Sequence, residues 1–150
     1  MINFLLKNPN LYRFYQKSVR GKYDEYDFFK FIFKKKIFQN IRMLDICCGD
    51  SFILDYISEH IEDYLGVDSN EKYLKKCRKQ WGKFNFINLD LNDEKNIEHF
   101  LKFKPNFIFM NGAIHHLDDK IVKSIKSLIV NNFPDSYFLS CDPIKNNNNL

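Results

Sequence analysis

The sequence predicts an α/β fold in which a mostly parallel sheet carries helices on both faces. From Arg42 onward, short apolar segments of strand length alternate with segments whose apolar residues recur at helical spacing. Helices of this size between successive strands favour right-handed crossovers and therefore parallel pairing. The length of 150 residues suits a single domain with one core, which we place in residues 41–143.

Composition is that of an ordinary globular protein, with 45% hydrophobic and 28% charged residues. No apolar run approaches the roughly 18 residues that a membrane span needs. The apolar start, Met1–Lys7, is too short for a signal peptide, so we expect a cytoplasmic protein. The four cysteines form no CxxC pair, which favours reduced thiols.

Positive charge is concentrated at the N-terminus. Residues 1–42 contain ten Lys and Arg against three acids, whereas residues 43–150 contain thirteen against sixteen. A basic arm of this kind could meet nucleic acid or an anionic substrate. Because the basic residues match no nucleic-acid-binding motif, we favour a solvated surface and do not expect a nucleic-acid partner.

The first 40 residues are predicted to form a helical lead-in. Asn8 and Pro9 suit an N-cap and a first helical position, and Gly21 is a plausible stop. A second helix is expected from Asp24 to Lys36, because its apolar residues fall on one side.

Five strands and the helices between them follow in order. The strands are short apolar runs: Met43–Cys47, Tyr64–Asp68, Phe84–Asn88, Asn106–Met110 and Ser136–Cys141. The connecting helices have apolar residues at helical spacing: Ser51–His60, a helix capped by Ser69 that carries Tyr73, Leu74, Cys77 and Trp81, Asn96–Lys102, and Asp118–Val130. Residues 144–150 contain a run of asparagines and are predicted to be a disordered tail.

Polar residues follow each predicted strand. In an open α/β sheet, ligands bind beyond the carboxyl ends of the strands. The polar residues there are Asp45 to Ser51, Asp68, Asp90, Asn111 to His116, and Asp142. We therefore expect the functional site along this edge.

The loop after the first strand is the most informative segment. A dinucleotide-binding GxGxxG pattern would need glycines where Cys47 and Phe52 stand, so a nicotinamide site is poorly supported. The segment instead resembles the acidic-x-Gly-x-Gly-x-Gly loop of class I S-adenosylmethionine (SAM)-dependent methyltransferases. Asp45 and Gly49 match that pattern, while the small residues Cys47 and Ser51 replace the outer glycines.

This resemblance implies a Rossmann-like, doubly wound sheet with strand order 3-2-1-4-5. The family's sheet usually continues to strands six and seven, which are lacking after the fifth predicted strand here. We therefore expect an exposed edge at strand five, through which a second copy or another protein could associate.

The resemblance also implies which residues bind the cofactor. Asp68 would accept hydrogen bonds from the ribose hydroxyls, and Asp90 would accept one from the adenine amine, with Leu91 over the ring. Asn111 would contact the methionine part. The remaining cofactor-binding candidates flank these positions: Asp45, Cys47, Cys48, Gly49, Ser69 and Gly112. Alternatively, Asp68 is a helix N-terminal acid and Asp90 a solvated loop acid.

Two histidines follow the fourth strand, where many class I members carry a similar His-His-Leu stretch. His115 or His116 could take a proton from a substrate hydroxyl, because neutral imidazole is available near pH 7. Alternatively, one of them only hydrogen-bonds the loop backbone. Together with Cys47 and Cys48 they could suggest a soft metal site, but the adjacent pairs lack ligand spacing and no metal is expected.

The N-terminal segment is similar to the helical lead-in of some bacterial class I methyltransferases. The resemblance makes Tyr15, Gln16 and Arg20 candidates for the substrate pocket, although a helix merely packed on the sheet fits equally well.

The expected function is methyl transfer from SAM to a small molecule, sugar or lipid precursor, with S-adenosylhomocysteine as product. The alternative is a non-catalytic or truncated module of the same fold that binds SAM, S-adenosylhomocysteine or a protein partner. The Pro-Pro-Tyr-type motif of nucleic-acid amino methyltransferases is absent after the fourth strand.

Overall fold

The computed structural model describes residues 40–93, 96 and 98–142. Five strands form one sheet: β1 Ile41–Ile46, β2 Ile61–Asp68, β3 Asn85–Asn88, β4 Phe107–Asn111 and β5 Tyr137–Cys141. Their order is β3-β2-β1-β4-β5, and every neighbouring pair is parallel. The predicted fold class and strand order are confirmed.

The helices follow the strands with some differences from the prediction. The α-helices are α1 Leu54–Ile57, α2 Glu71–Gln80 and α3 Asp119–Asn132. Short 3₁₀ helices cover Ser58–His60, Glu98–Phe103 and Ile114–His116. The first helix begins three residues later than predicted, because Ser51 has a positive φ of 49° that no α-helix accommodates.

The predicted N-cap at Ser69 is wrong by one residue. The cap of α2 is Asn70, whose side-chain oxygen accepts a 3.1 Å hydrogen bond from the Lys72 N–H. Both residue types make good caps, so the choice depends on where β2 ends.

Two apolar layers cover the two faces of the sheet. Met43 of β1 packs with Leu54 of α1 and Leu74 of α2 on one face. Leu44 and Ile46, two residues apart in β1, face the other side of the sheet, where the α3 residues Ile121, Ile125 and Ile129 pack. Alternating strand residues therefore bury both faces and leave the carboxyl ends of the strands free to form a site.

The outermost strand β5 is exposed at one edge of the described sheet. Tyr137 and Phe138 are 60% and 47% exposed. Association through this edge stays a prediction. The predicted N-terminal helices with Tyr15, Gln16 and Arg20, and the predicted disordered tail, lie outside the described residues.

Candidate active site

The loop after β1 has a left-handed backbone at three alternate residues. The φ angles of Cys47, Gly49 and Ser51 are 58°, 55° and 49°. Such angles cost a non-glycine residue about 1–2 kcal/mol, so the surroundings must hold Cys47 and Ser51 there. A 2.8 Å hydrogen bond from the Ser51 N–H to the Cys48 carbonyl closes the turn. The backbone conformation that suits three glycines is therefore present although only one of the residues is glycine.

A buried polar network supports this loop from inside the fold. The Tyr64 hydroxyl lies 2.5 Å from Oδ2 of Asp45 and 3.0 Å from Oγ of Ser51. Burial raises the pKa of Asp45 to about 7; the Tyr64 hydrogen bond opposes this rise, whereas nearby Asp68 and Asp50 add to it. The network anchors Ser51 in its left-handed conformation.

Asp68 at the end of β2 ties the same loop to the sheet. Its Oδ2 accepts a 2.9 Å hydrogen bond from the Gly49 N–H, and its Oδ1 accepts a 2.7 Å bond from the Asn70 N–H. Burial raises the pKa of Asp68, while these two backbone donors lower it. The carboxylate therefore fixes both the loop and the start of α2.

A cavity of about 290 Å³ opens at the carboxyl ends of β1 to β4. The loop after β1 contributes Cys47 and Gly49, β2 contributes its last residue Asp68, and Ser69 and Asn70 follow β2. The remaining lining residues come from α2, from the segment after β3, and from the end of β4 and the segment after it: Tyr73, Leu89, Asp90, Leu91, Asn92, Asn111, Gly112, Ala113, His116 and Leu117.

Most of the predicted cofactor-binding residues meet at this cavity, but two of them do not line it. Asp45 is 3% exposed and bonded to Tyr64, while Cys48 is 7% exposed and directs its thiol toward the Gly49 carbonyl. Sequence reasoning missed several lining residues, among them Asn70 and Tyr73. Asn70 could have been found from its capping chemistry, since a helix N-terminus after β2 faces this edge.

The two histidines occupy different positions. His116 lines the cavity, whereas His115 does not. Nδ1 of His115 lies 3.0 Å from Oδ1 of Asp142, and the two imidazole rings are in contact, with centroids 3.9 Å apart and planes tilted by 45°. The pKa of His116 is lowered mainly by burial and to a smaller extent by the neighbouring His115, whereas Asp142 raises it.

The cavity wall is acidic. The pKa of the Cys47 thiol is raised to about 12, mainly by burial and in addition by the carboxylates of Asp68, Asp45, Asp142 and Asp90. Such surroundings favour a ligand that carries positive charge. Within the described residues, no group of three His, Cys, Asp or Glu side chains is placed to hold a metal ion.

Comparison with known proteins identifies the family. Residues 43–130 match the model of a methyltransferase domain family, which covers more than half of the chain. The matched segment runs from β1 into α3 and so includes the loop, Asp68, Asp90 and both histidines. No curated protein matches the chain significantly.

Solved structures share the fold. A SAM-dependent methyltransferase from Clostridium acetobutylicum has a TM-score of 0.67 at 16% identity, over 87% of this chain and 55% of that one. A SAM-dependent methyltransferase from Archaeoglobus fulgidus has a TM-score of 0.55 at 28% identity, over 86% and 55%. A SAM-bound amino pentose methyltransferase from Micromonospora echinaspora has a TM-score of 0.60 at 15% identity, over 84% and 54%.

The chain spans little more than half the length of each of these three structures. Among the described residues, no helix combines the length and apolar character that crossing a membrane requires.

Proposed function

Because the chain belongs to the class I SAM-dependent methyltransferases, we propose that it transfers a methyl group from SAM to a small-molecule acceptor such as a sugar or a lipid precursor. The observation that carries this proposal is the pair of acids that line the cavity: Asp68 ends β2, and Asp90 follows the adjacent strand β3. Bound SAM supplies a sulfonium whose methyl carbon bonds to the acceptor as the carbon–sulfur bond breaks, leaving the electron pair on the sulfur of S-adenosylhomocysteine.

The residues that line the cavity support binding of a nucleoside that carries positive charge. Asp68 already accepts two backbone N–H groups, but each carboxylate oxygen has a further lone pair that a ribose hydroxyl can use. Asp90 provides an acceptor for the adenine amine, and Leu89 and Leu91 supply apolar surface beside it. We assign these residues to the adenosine half of SAM.

The other half of the cavity suits the amino-acid part of SAM and the acceptor. Cys47 and Gly49 come from the loop over β1, and Asn111 and Gly112 from the end of β4, which lies beside β1. Ser69 lines the cavity on the β2 side. We assign Asp45 and Cys48 a supporting role, in which they hold the loop that the cofactor contacts.

Calorimetry with SAM and S-adenosylhomocysteine tests the cofactor assignment. Asp68→Ala is expected to weaken binding about 10- to 150-fold, because charged hydrogen bonds of roughly 1.5–3 kcal/mol are lost. Asp135→Ala is the matched control, since Asp135 is an exposed acid that precedes β5 at the opposite end of the strands. Failure of the wild-type chain to bind either compound at millimolar concentration would refute the proposal.

A non-catalytic module is the second candidate, and the replacement of two loop glycines by Cys47 and Ser51 is the observation that favours it. The two candidates differ in turnover. Transfer of an isotope-labelled methyl group from SAM to small acceptors supports the enzyme, whereas tight SAM binding without transfer supports the module.

A further inference from the structure

A chain of polar contacts connects the end of β5 with the cavity. Asp142 follows β5, and both of its carboxylate oxygens are engaged: Oδ2 accepts a 3.0 Å hydrogen bond from the Ser140 hydroxyl, and Oδ1 lies 3.0 Å from Nδ1 of His115. The pairing of Asn111 with Cys141 across β4 and β5 sets this proximity, because it brings the two strand ends side by side. Asp142 therefore fixes the ring orientation of His115.

His115 in turn packs against the histidine that faces the cavity. The rings of His115 and His116 are 3.9 Å apart between centroids and tilted by 45°. Both histidines lie in the short 3₁₀ helix Ile114–His116. The His116 N–H donates a 3.0 Å hydrogen bond to the Ala113 carbonyl, just before this helix. The ring of His116 thus contacts His115, and His116 also lines the cavity.

We infer that the imidazole of His116 accepts a proton from a hydroxyl group of the methyl acceptor, and that His115, Asp142 and Ser140 are positioning residues for it. This inference rests on the proposed function and adds the chemical class of the acceptor. It also separates two adjacent histidines that the sequence alone leaves equivalent.

The proton needs a destination because a hydroxyl oxygen that gains a methyl group becomes positively charged unless its proton leaves. The oxygen–hydrogen bond breaks, its electron pair stays on oxygen, and the proton moves to the unprotonated ring nitrogen of His116 and afterwards to water. A neutral amine has less need of such a base, since it is already a good nucleophile near neutral pH when unprotonated. A held imidazole at the cavity wall therefore favours a hydroxyl acceptor.

The surroundings of His116 keep it available as a base. Burial and the adjacent His115 lower the pKa of His116, whereas the Asp142 carboxylate raises it. Asp68 and Asp90 are the other acids that line the same cavity. An imidazole in this environment is mainly neutral at pH 7, as a proton acceptor must be.

Nuclear magnetic resonance titration of the histidine side chains tests the placement without a known acceptor. The His116 signal is assigned with His116→Gln, and its pKa is measured with SAM and with S-adenosylhomocysteine bound. Because SAM carries an extra positive charge on sulfur, we expect the pKa of His116 to be lower in the SAM complex by about 0.5 pH unit or more. Equal values in the two complexes would overturn the inference.

Two variants test the positioning residues, and they are expected to act in opposite directions. His115→Gln removes a group that lowers the pKa of His116, so the pKa of His116 should rise in this variant. Asp142→Asn removes the group that raises the pKa of His116, so the pKa should fall. His60→Gln, in the 3₁₀ helix before β2, is the control and should leave it unchanged. An unchanged His116 pKa in both positioning variants would contradict their role.

The acceptor class is tested by transfer of labelled methyl groups to small alcohols and phenols, each beside its amine counterpart. We expect label in hydroxyl compounds and at least about a hundredfold loss of rate in His116→Gln with SAM affinity retained. Label in amines alone, or a rate that His116→Gln leaves unchanged, overturns the inference; if no compound accepts, the titration decides. Loss of SAM binding in the wild-type chain would instead mean that the proposed function itself has failed.

Discussion

The backbone N–H of Gly49 donates a 2.9 Å hydrogen bond to Oδ2 of Asp68, which joins the loop after β1 to the end of β2. Asp68 ends β2, and Gly49 lies in the loop after the adjacent parallel strand β1, so the bond lies at the sheet edge at which ligands of this fold class bind. One carboxylate thereby shapes the loop before any cofactor is bound. A residue expected to contact ribose also preorganises the loop beside it.

Replacing this carboxylate should loosen the loop locally. In Asp68→Asn, we expect hydrogen exchange at the Gly49 amide to become about fivefold faster or more, because a hydrogen bond to a charged acceptor is weakened by roughly 1 kcal/mol. The Cys48 amide is the internal control, since it donates to the Val67 carbonyl at 3.0 Å and does not depend on Asp68. Exchange measured residue by residue checks this, and an unchanged Gly49 rate would contradict it.

The buried carboxyl of Asp45 should make stability depend on pH. Its pKa is about 7 in the folded chain and about 3.9 in an unfolded chain, so the folded state binds the proton more tightly. The free energy of unfolding should therefore fall as the pH rises from about 4 to about 7. Asp45→Asn keeps an acceptor oxygen for Tyr64 and removes the titration, so it should be more stable than wild type at pH 8 by about 1–3 kcal/mol.

Urea unfolding of wild type and Asp45→Asn at pH 5 and pH 8 measures this difference. Tyr64→Phe provides the opposite control. The Tyr64 hydroxyl lowers the pKa of Asp45, so its removal should steepen the loss of stability with rising pH. Parallel pH profiles for wild type and Asp45→Asn would show that Asp45 does not titrate in this range.

Much of the fold could be predicted because its determinants are local. The alternation of Met43 and Leu44 between the two apolar layers is a property of one strand, and the helical spacing of Ile121, Ile125 and Ile129 is a property of one helix. The acids at the strand ends could also be placed on one edge, since parallel strands point the same way. Such features need no knowledge of distant contacts.

The remaining features depend on pairing across the sheet. Tyr64 reaches Asp45 because β1 and β2 pair with Met43 beside Tyr64, and His115 meets Asp142 because Asn111 pairs with Cys141. Neither register is encoded in local spacing. The assignment of Asp45 to the cofactor remains a prediction, but its carboxyl is bonded inside the fold because the large Tyr64 ring lies on the same face.

Close packing around Gly66 should make a single methyl group costly. A Cβ at this position would lie 2.8 Å from Cδ1 of Phe86 and 3.0 Å from Sγ of Cys48. Because Gly66 sits within β2, the strand cannot move away without disturbing both neighbours. We expect Gly66→Ala to lower the free energy of unfolding by about 1–3 kcal/mol.

Gly82→Ala is the matched control in the same denaturation experiment. The nearest atom to its added Cβ is the Arg78 carbonyl oxygen at 3.4 Å, an ordinary contact, and the residue is exposed. We expect a change of about 0.5 kcal/mol or less. Equal losses for the two variants would mean that the packing around Gly66 relaxes at no cost.

The cysteines should react slowly with alkylating agents, and Cys47 should report on cofactor binding. Burial raises the pKa of Cys47 to about 12 and that of Cys77 to about 11, and acidic neighbours add to both shifts. Since the thiolate is the reactive form, we expect iodoacetamide at pH 7.5 to modify Cys47 at least about tenfold more slowly than a free thiol. Its rate should still be rising above pH 9, where a free thiol levels off.

S-adenosylhomocysteine should slow the reaction of Cys47 further because this residue lines the cavity. Mass spectrometry of each cysteine peptide measures these rates, with the urea-unfolded chain as the reference in which Cys47 reacts normally. A Cys47 rate that levels off above pH 9 as a free thiol does, or that does not change when the ligand is added, would contradict the placement of Cys47 in the acidic wall of the cavity.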